Sequence, residues 1–223
     1  MIIVGHRGAR GLAPENTIAS IQKAMEHQVN MLEVDLRITK DNHVVLHHDK
    51  NLIDPNNSRR RIASYTLAEL REHKPDLATF EELLDCVNRK IPLYIEVKPK
   101  EKVQPIIATI KNYLKKGWSK DDIILASKSY ATLKALHAAL PTLPIIVISW
   151  SGLWASYHAL RLDTTMISLN KYFLSPTYIR IKQRHGFKLF AYTVNSPKTA
   201  RRLERAGLYA IVTDYPDTIQ PLL

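Results

Sequence analysis

The chain has 223 residues, 45% of them hydrophobic and 24% charged, which excludes a low-complexity or disordered chain and leaves enough apolar surface for a sizeable core. A formal charge of +11 and a pI near 9.7 favour an anionic partner. The basic clusters Arg59-Arg60-Arg61, Lys98 to Lys102, Lys115-Lys116 and Arg201-Arg202 nevertheless lie in different segments, without the interleaved aromatics of a single-strand binding groove; solvated faces are the simpler expectation, and no nucleic-acid partner is expected.

In chain order, an apolar strand is expected over 2–4, a helix over 17–28, a strand over 31–38 with a short companion over 44–46, and a helix over 80–89. Strands over 93–97, 123–126, 145–149, 166–169, 189–194 and 210–212 then alternate with helices over 103–116, 130–140, 153–162, 175–185 and 197–206, and a short final turn is expected near Thr218. Gly117, Gly186 and Gly207 each stand just past an apolar-periodic run, where helices stop. The apolar run Ile2-Ile3-Val4 leads straight into His6 without the basic stretch, long apolar segment and cleavage site of a signal peptide, so the cytoplasm is the expected compartment. The apolar stretch 143–155 is broken by Pro144 and Gly152 and falls short of the roughly 20 residues a spanning helix needs, so no stable membrane insertion is expected. Cys86 is the only cysteine, which excludes an intramolecular disulfide and a thiolate metal cluster; within an apolar-periodic helix it reads as a packed thiol.

Eight strand-helix units follow one another with no linker, composition shift or Ser/Gly-rich tract between them. Continuous apolar strands covered by helices imply a parallel sheet buried on both faces. Eight units in a chain slightly under the roughly 250 residues usual for the architecture point to a closed (β/α)8 TIM barrel, a single domain over 1–223 with short loops. The competing open doubly wound sheet usually carries a Gly-rich phosphate loop at its first turn, and neither G-x-G-x-x-G nor G-K-[ST] occurs.

In such a barrel the site is built where strands end, and polar residues accumulate there. The first strand ends on His6-Arg7; the second carries Glu33 and Asp35 one residue apart, so the strand period aims both carboxylates the same way. Like charges that close call for a cation, and hard oxygen ligands suit Ca²⁺ or Mg²⁺. The short companion strand ends on His47-His48-Asp49, and the third main strand ends with Glu96 and Lys98 on one face. Each residue alone has a structural explanation; together, at successive strand ends, they describe a site.

The motifs H-R-G (His6 to Gly8), P-E-N-T (Pro14 to Thr17), E-x-D (Glu33, Asp35), V-V-x-H-D-x-x-L (Val45 to Leu52), I-E-x-K (Ile95 to Lys98), T-V-N (Thr193 to Asn195) and T-D-Y-P (Thr213 to Pro216) occur in this order across nearly the whole chain. In them the sequence resembles the glycerophosphodiester phosphodiesterases. The resemblance implies a TIM barrel that hydrolyses small glycerophosphodiesters to sn-glycerol 3-phosphate and an alcohol. Carried over by motif position, it implies that Glu33, Asp35 and Glu96 hold one divalent cation, that His6 and His48 are the general acid and base, and that Arg7 and Lys98 contact the phosphate. His47 competes for the third motif, but the family places its histidine directly before the aspartate, which selects His48.

The chain departs from the family pattern in places. Tyr192 stands where the late motif usually has tryptophan, and is expected in the wall of the alcohol pocket. The segment between Leu52 and Phe80 is short, and its Asn56 to Arg61 run is expected to be a solvated loop. Gly8 is expected to let the backbone approach a ligand, and Asn16 or Thr17 to cap the following helix while Glu15-Asn16 brace the first loop. Trp150, Trp154 and Tyr157 are expected to pack helix against barrel, with a cation-π pocket for a choline-like group as the sharper reading. Two other functions compete: a phospholipase D-type activity on lysophospholipids, and a non-catalytic phosphate- or nucleic-acid-binding protein, which the net charge alone would favour.

Overall fold

The computed structural model describes residues 1–53 and 58–222. Its strands are β1 (Ile2–Gly5), β2 (Met31–Ile38), β3 (Val44–Leu46), β4 (Asn51–Ile53), β5 (Arg59–Arg61), β6 (Leu93–Val97), β7 (Ile123–Ser127), β8 (Ile145–Ser149), β9 (Met166–Asn170), β10 (Lys188–Tyr192) and β11 (Ala210–Thr213). Helices α1 (Ile18–Glu26), α2 (Leu67–His73) and α3 (Phe80–Val87) precede β6, and α4 (Val103–Lys115), α5 (Tyr130–Ala139), α6 (Gly152–Arg161), α7 (Pro176–Arg184), α8 (Pro197–Arg205) and α9 (Pro216–Ile219) each follow one of the last six strands. Strands β1, β2 and β6 to β11 pair in parallel in that order, and β11 pairs back onto β1, closing a (β/α)8 barrel.

The two-residue period of the strands sorts the chain into a lumen and a shell. Val4, Met31, Tyr94, Ile148, Phe190 and Val212 belong to one buried cluster in the lumen, where Tyr94 and Phe190 meet edge to face at 5.8 Å. The opposite parity, with Ile3, Leu32, Val34 and Ile95, packs outward against the helices. Helix starts are fixed by side chains: Thr17, Thr66 and Thr79 each form a capping box with the residue three further on, Ser20, Glu69 and Glu82. Helix stops use left-handed residues, Gly117, Gly186 and Gly207 among them.

Three expectations change. The run 59–61 is not a loop: Arg59–Arg61 pairs antiparallel with Asn51–Ile53 as a two-stranded ribbon, while Asn56 and Asn57 lie outside the described residues. Helix α2 follows it, absent from the sequence reading although Thr66 and Glu69 spell its capping box. Strand β10 ends at Tyr192 rather than continuing to 194, because the chain turns there to bring Asn195 back against β11.

Candidate active site

Parity carries polar side chains up each strand to the same end of the barrel. On β1 the lumen positions are Ile2, Val4 and then His6; on β2 they are Met31, Glu33 and Asp35; after β6, Tyr94 and Glu96 are followed by Lys98. The register sets Asp35 directly beside Glu96 on the neighbouring strand. Oxygens of Glu33, Asp35 and Glu96 lie within 4.8 Å of one another, and all three residues are buried. His6, Arg7, Glu33, His48, Glu96 and Tyr192 line one cavity of about 140 Å³ at the mouth. Asp35 and Lys98 lie immediately beneath it, in contact with Glu96 and Arg7.

The electrostatics follow from crowding. Lys98 Nζ sits 2.5 Å from Asp35 Oδ1 and 2.9 Å from Glu96 Oε1, and Arg7 Nε lies 3.2 Å from Asp35 Oδ2. Burial pushes the Asp35 carboxyl up, but the Lys98 and Arg7 charges outweigh it and hold Asp35 well below the usual carboxylate range. Glu33 goes the other way: burial, reinforced by the charges of Asp35 and Glu96, pushes it well above its ordinary value of 4.5, and Arg7 and Lys98 offset only part of this. Three buried carboxylates therefore face one buried cation, Lys98, and one half-buried one, Arg7, which is shared with Glu15 at 2.8 Å. An oxygen-only set with a surplus of negative charge fits a hard divalent ion, whose charge would relieve the repulsion on Glu33.

Each imidazole is held from behind. Asp214 Oδ1 is 2.5 Å from His6 Nδ1, leaving His6 Nε2 facing the acids, 3.9 Å from Glu33. Asn195 Nδ2 donates to the second Asp214 oxygen at 2.6 Å, and its Oδ1 accepts the Asp214 backbone N–H at 2.9 Å. The late T-V-N and T-D-Y-P motifs thus build the mount of a histidine near the other end of the chain. His48 Nδ1 meets Asp49 Oδ1 at 2.8 Å, and Arg37, itself paired with Glu101, donates twice to the His48 carbonyl. Burial lowers the His48 pKa, and the nearby Lys98 and Arg7 charges lower it further against the pull of Asp35. His47 turns away and bonds the Asp49 carbonyl.

The first loop acts on the acids directly. Asn16 donates to Asp35 Oδ2 at 2.9 Å and accepts the Asp35 backbone N–H at 3.1 Å, so it braces a carboxylate, while Thr17 caps α1. Arg7 and Asn16 both hold left-handed backbone, φ 50° and 55°, a conformation that costs a side-chain-bearing residue free energy and persists where surroundings enforce it. The enforcing contacts are the Arg7 N–H on Glu33 Oε2 at 2.9 Å and the Asn16 N–H on the Arg7 carbonyl at 3.0 Å. Gly8 serves a different purpose from the one expected: a Cβ there would lie 2.5 Å from Ser20, so glycine lets α1 pack against the loop rather than admitting a ligand.

Lys128 completes the cavity wall, with Nζ 3.8 Å from Glu96 and 5.7 Å from the Trp150 ring centre. It and Asp214 were not singled out from the sequence, although extending the strand alternation beyond Ala126 and Val212 reaches both. Tyr192 lies on the same wall, its hydroxyl pushed up to about 12 by burial beside Glu96. Trp150, Trp154 and Tyr157 do not pack inward as expected: they are 61%, 62% and 48% exposed, and Ala155, Ser156 and Ala159 make the contact of α6 with the barrel.

Buried acids, paired cations and mounted imidazoles at the mouth of a (β/α)8 barrel define a barrel hydrolase for an anionic phosphate ester. Residues 6–218 match the model of the glycerophosphoryl diester phosphodiesterase family, and the chain belongs to that family, a family of phosphoric diester hydrolases. It is 28% identical to a glycerophosphodiester phosphodiesterase of Bacillus subtilis (97% of this chain, 84% of the relative) and 22% identical to a lysophospholipase D of Homo sapiens (98% and 83%). Among solved structures, an Oleispira antarctica phosphodiesterase in complex with its product sn-glycerol 3-phosphate superposes with a TM-score of 0.88 at 26% identity, covering 100% of this chain and 96% of that one.

Proposed function

We propose that the protein hydrolyses small glycerophosphodiesters to sn-glycerol 3-phosphate and an alcohol, acting in the cytoplasm, with Glu33, Asp35 and Glu96 holding one Ca²⁺ or Mg²⁺ ion. The observation that carries this reading is the convergence of His6, Arg7, Glu33, Asp35, His48, Glu96 and Lys98 on one site at the barrel mouth, in a fold whose relative holds sn-glycerol 3-phosphate. When bound, the ion supplies charge that offsets the build-up on the phosphate oxygens.

The chain's own groups divide the remaining work. Arg7 and Lys98, both kept charged by the carboxylates around them, attract the phosphate and favour the charge-richer transition state. His48 is neutral at neutral pH, since burial lowers its proton affinity, and its Nε2 is the base that takes the proton from the nucleophile. His6 returns a proton to the leaving alkoxide through Nε2, its ring orientation fixed by the Asp214 bond to Nδ1. Tyr192 and Lys128 form the wall against which the alcohol lies.

The test is turnover of a panel of glycerophosphodiesters, with His6→Ala and His48→Ala alongside. The reading expects turnover in the parent and a loss of about 10²–10⁴-fold in each variant. A parent protein that turns over no diester, or variants that keep parental rates, would refute it. A second reading, phospholipase D-type cleavage of lysophospholipids, draws support from the human relative and from the exposed aromatic surface beside the mouth; lysolipids in the same panel separate the two.

A further inference from the structure

The net charge is not spread evenly around the barrel. Residues 123–203, from β7 into α8, contain eleven Lys and Arg and a single acid, Asp163, so this stretch carries ten of the eleven net charges. The same side of the barrel carries the largest exposed apolar residues. Helix α6 is inverted: it buries Ala155, Ser156 and Ala159 and turns Leu153, Trp154 and Leu160 outward, at 83%, 62% and 73% exposure. A surface helix on a monomeric barrel ordinarily does the reverse. Trp150 at the end of β8, and Tyr172 and Phe173 just after β9, continue this surface along the rim of the mouth.

Cations accompany the rings. Lys128 Nζ lies 5.7 Å from the Trp150 ring centre, Arg161 Cζ 5.7 Å from that of Tyr157, and Lys171 Nζ 5.3 Å from that of Tyr172. Past Tyr172 the surface runs by way of Lys171 and Arg202 into a groove between α7 and α8 lined by Arg180, Lys198, Arg201, Arg202 and Arg205. Among the described residues, none of these five has a carboxylate partner.

Aromatic rings at a polar boundary, bulky aliphatics beside them and unpaired Lys and Arg behind are the groups that suit the interface of an anionic bilayer. A nucleic acid would use the cations and the rings but would leave Leu153 and Leu160 in water. We propose that the rim from β8 to α8 is a docking surface for an anionic phospholipid membrane, with Leu153, Trp154 and Tyr172 at the interfacial level and the α7–α8 groove holding lipid phosphates. The contact is peripheral, since no helix among the described residues is long and apolar enough to cross a membrane. Lys128, shared between the rim and the catalytic cavity, sets the mouth against the lipid.

Co-sedimentation of the full chain with vesicles of phosphatidylcholine alone, and of phosphatidylcholine mixed with phosphatidylglycerol, tests this without any need for turnover. The protein should pellet with the anionic vesicles only, be released by salt, and show a blue shift of tryptophan emission on binding. Leu153→Glu combined with Trp154→Glu changes two exposed residues outside the catalytic cavity, and should weaken partitioning by about tenfold or more while the circular dichroism stays parental. Arg201→Glu with Arg202→Glu should weaken it similarly. Equal sedimentation with both vesicles, or undiminished binding by the Leu153/Trp154 variant, overturns the proposal. So does tighter binding of single-stranded RNA than of anionic vesicles, or a parental dimer that this variant converts to monomer, which would assign the face to a second copy.

Discussion

Replacing Asp214 with asparagine tests the mounting of His6 with almost no change of shape. In the parent, Asp214 Oδ1 accepts from His6 Nδ1 at 2.5 Å and its other oxygen accepts from Asn195 at 2.6 Å. An asparagine amide would present an N–H to one of these donors, either reversing the imidazole tautomer or opposing Asn195. A misdirected acid-base group forfeits roughly 10²–10⁴-fold in rate, so Asp214→Asn is expected to lower kcat by about 10²-fold or more, with KM changed far less, because the phosphate contacts are untouched. Stability carries a second signature. Burial would raise the Asp214 carboxyl, but the bond and charge of His6 and the Asn195 amide outweigh it and hold it below its ordinary 3.8. A depressed carboxyl stabilises the fold above its unfolded value and loses that contribution as pH falls through the folded one. The parent should therefore lose stability that the variant never had, as the pH drops below about 4 and through the depressed folded value. Steady-state kinetics and urea melts across pH measure both. A variant with parental kcat would refute the role given to Asp214.

Asn16→Gly keeps the left-handed backbone at φ 55° available while deleting both bonds to Asp35, so divalent-ion affinity measured by calorimetry should fall by about 10–100-fold with the fold intact. Unchanged affinity would mean that Asn16 is only a loop residue. Phe190 is fully buried in the lumen against Tyr94 and Tyr209, at 5.8 and 5.4 Å; Phe190→Ala should cost about 3–5 kcal/mol in a urea melt, and a loss below about 1 kcal/mol would contradict a packed lumen.

Strand and helix alternation was legible because most barrel strands are short, nearly all-apolar runs bounded by helix caps or glycine stops, signals local in sequence. The acids were legible for the same reason: Glu33 and Asp35 share one face of one strand, and Glu96 with Lys98 repeats the pattern on another. Contacts made across the chain were harder to read. Asp214 reaches back to His6, which comes 208 positions earlier, and Asn16 reaches over to Asp35; nothing within either segment announces its partner. The short helix Leu67–His73 and the ribbon before it went unread because three-residue strands and a seven-residue helix carry little periodicity. The outward face of α6 inverted the expectation for Trp154 and Tyr157, since large apolar residues at helical spacing ordinarily mark the buried face.

The central claim is that three buried carboxylates hold one cation, and calorimetric titration of chelator-treated protein with Ca²⁺ and with Mg²⁺ tests it most directly. The parent should bind a single divalent ion per chain at a saturable site, and Glu33→Gln, which keeps the acceptor for the Arg7 N–H while removing the charge, should abolish or greatly weaken that binding without changing the circular dichroism. Binding of equal strength and stoichiometry in parent and variant would contradict the account.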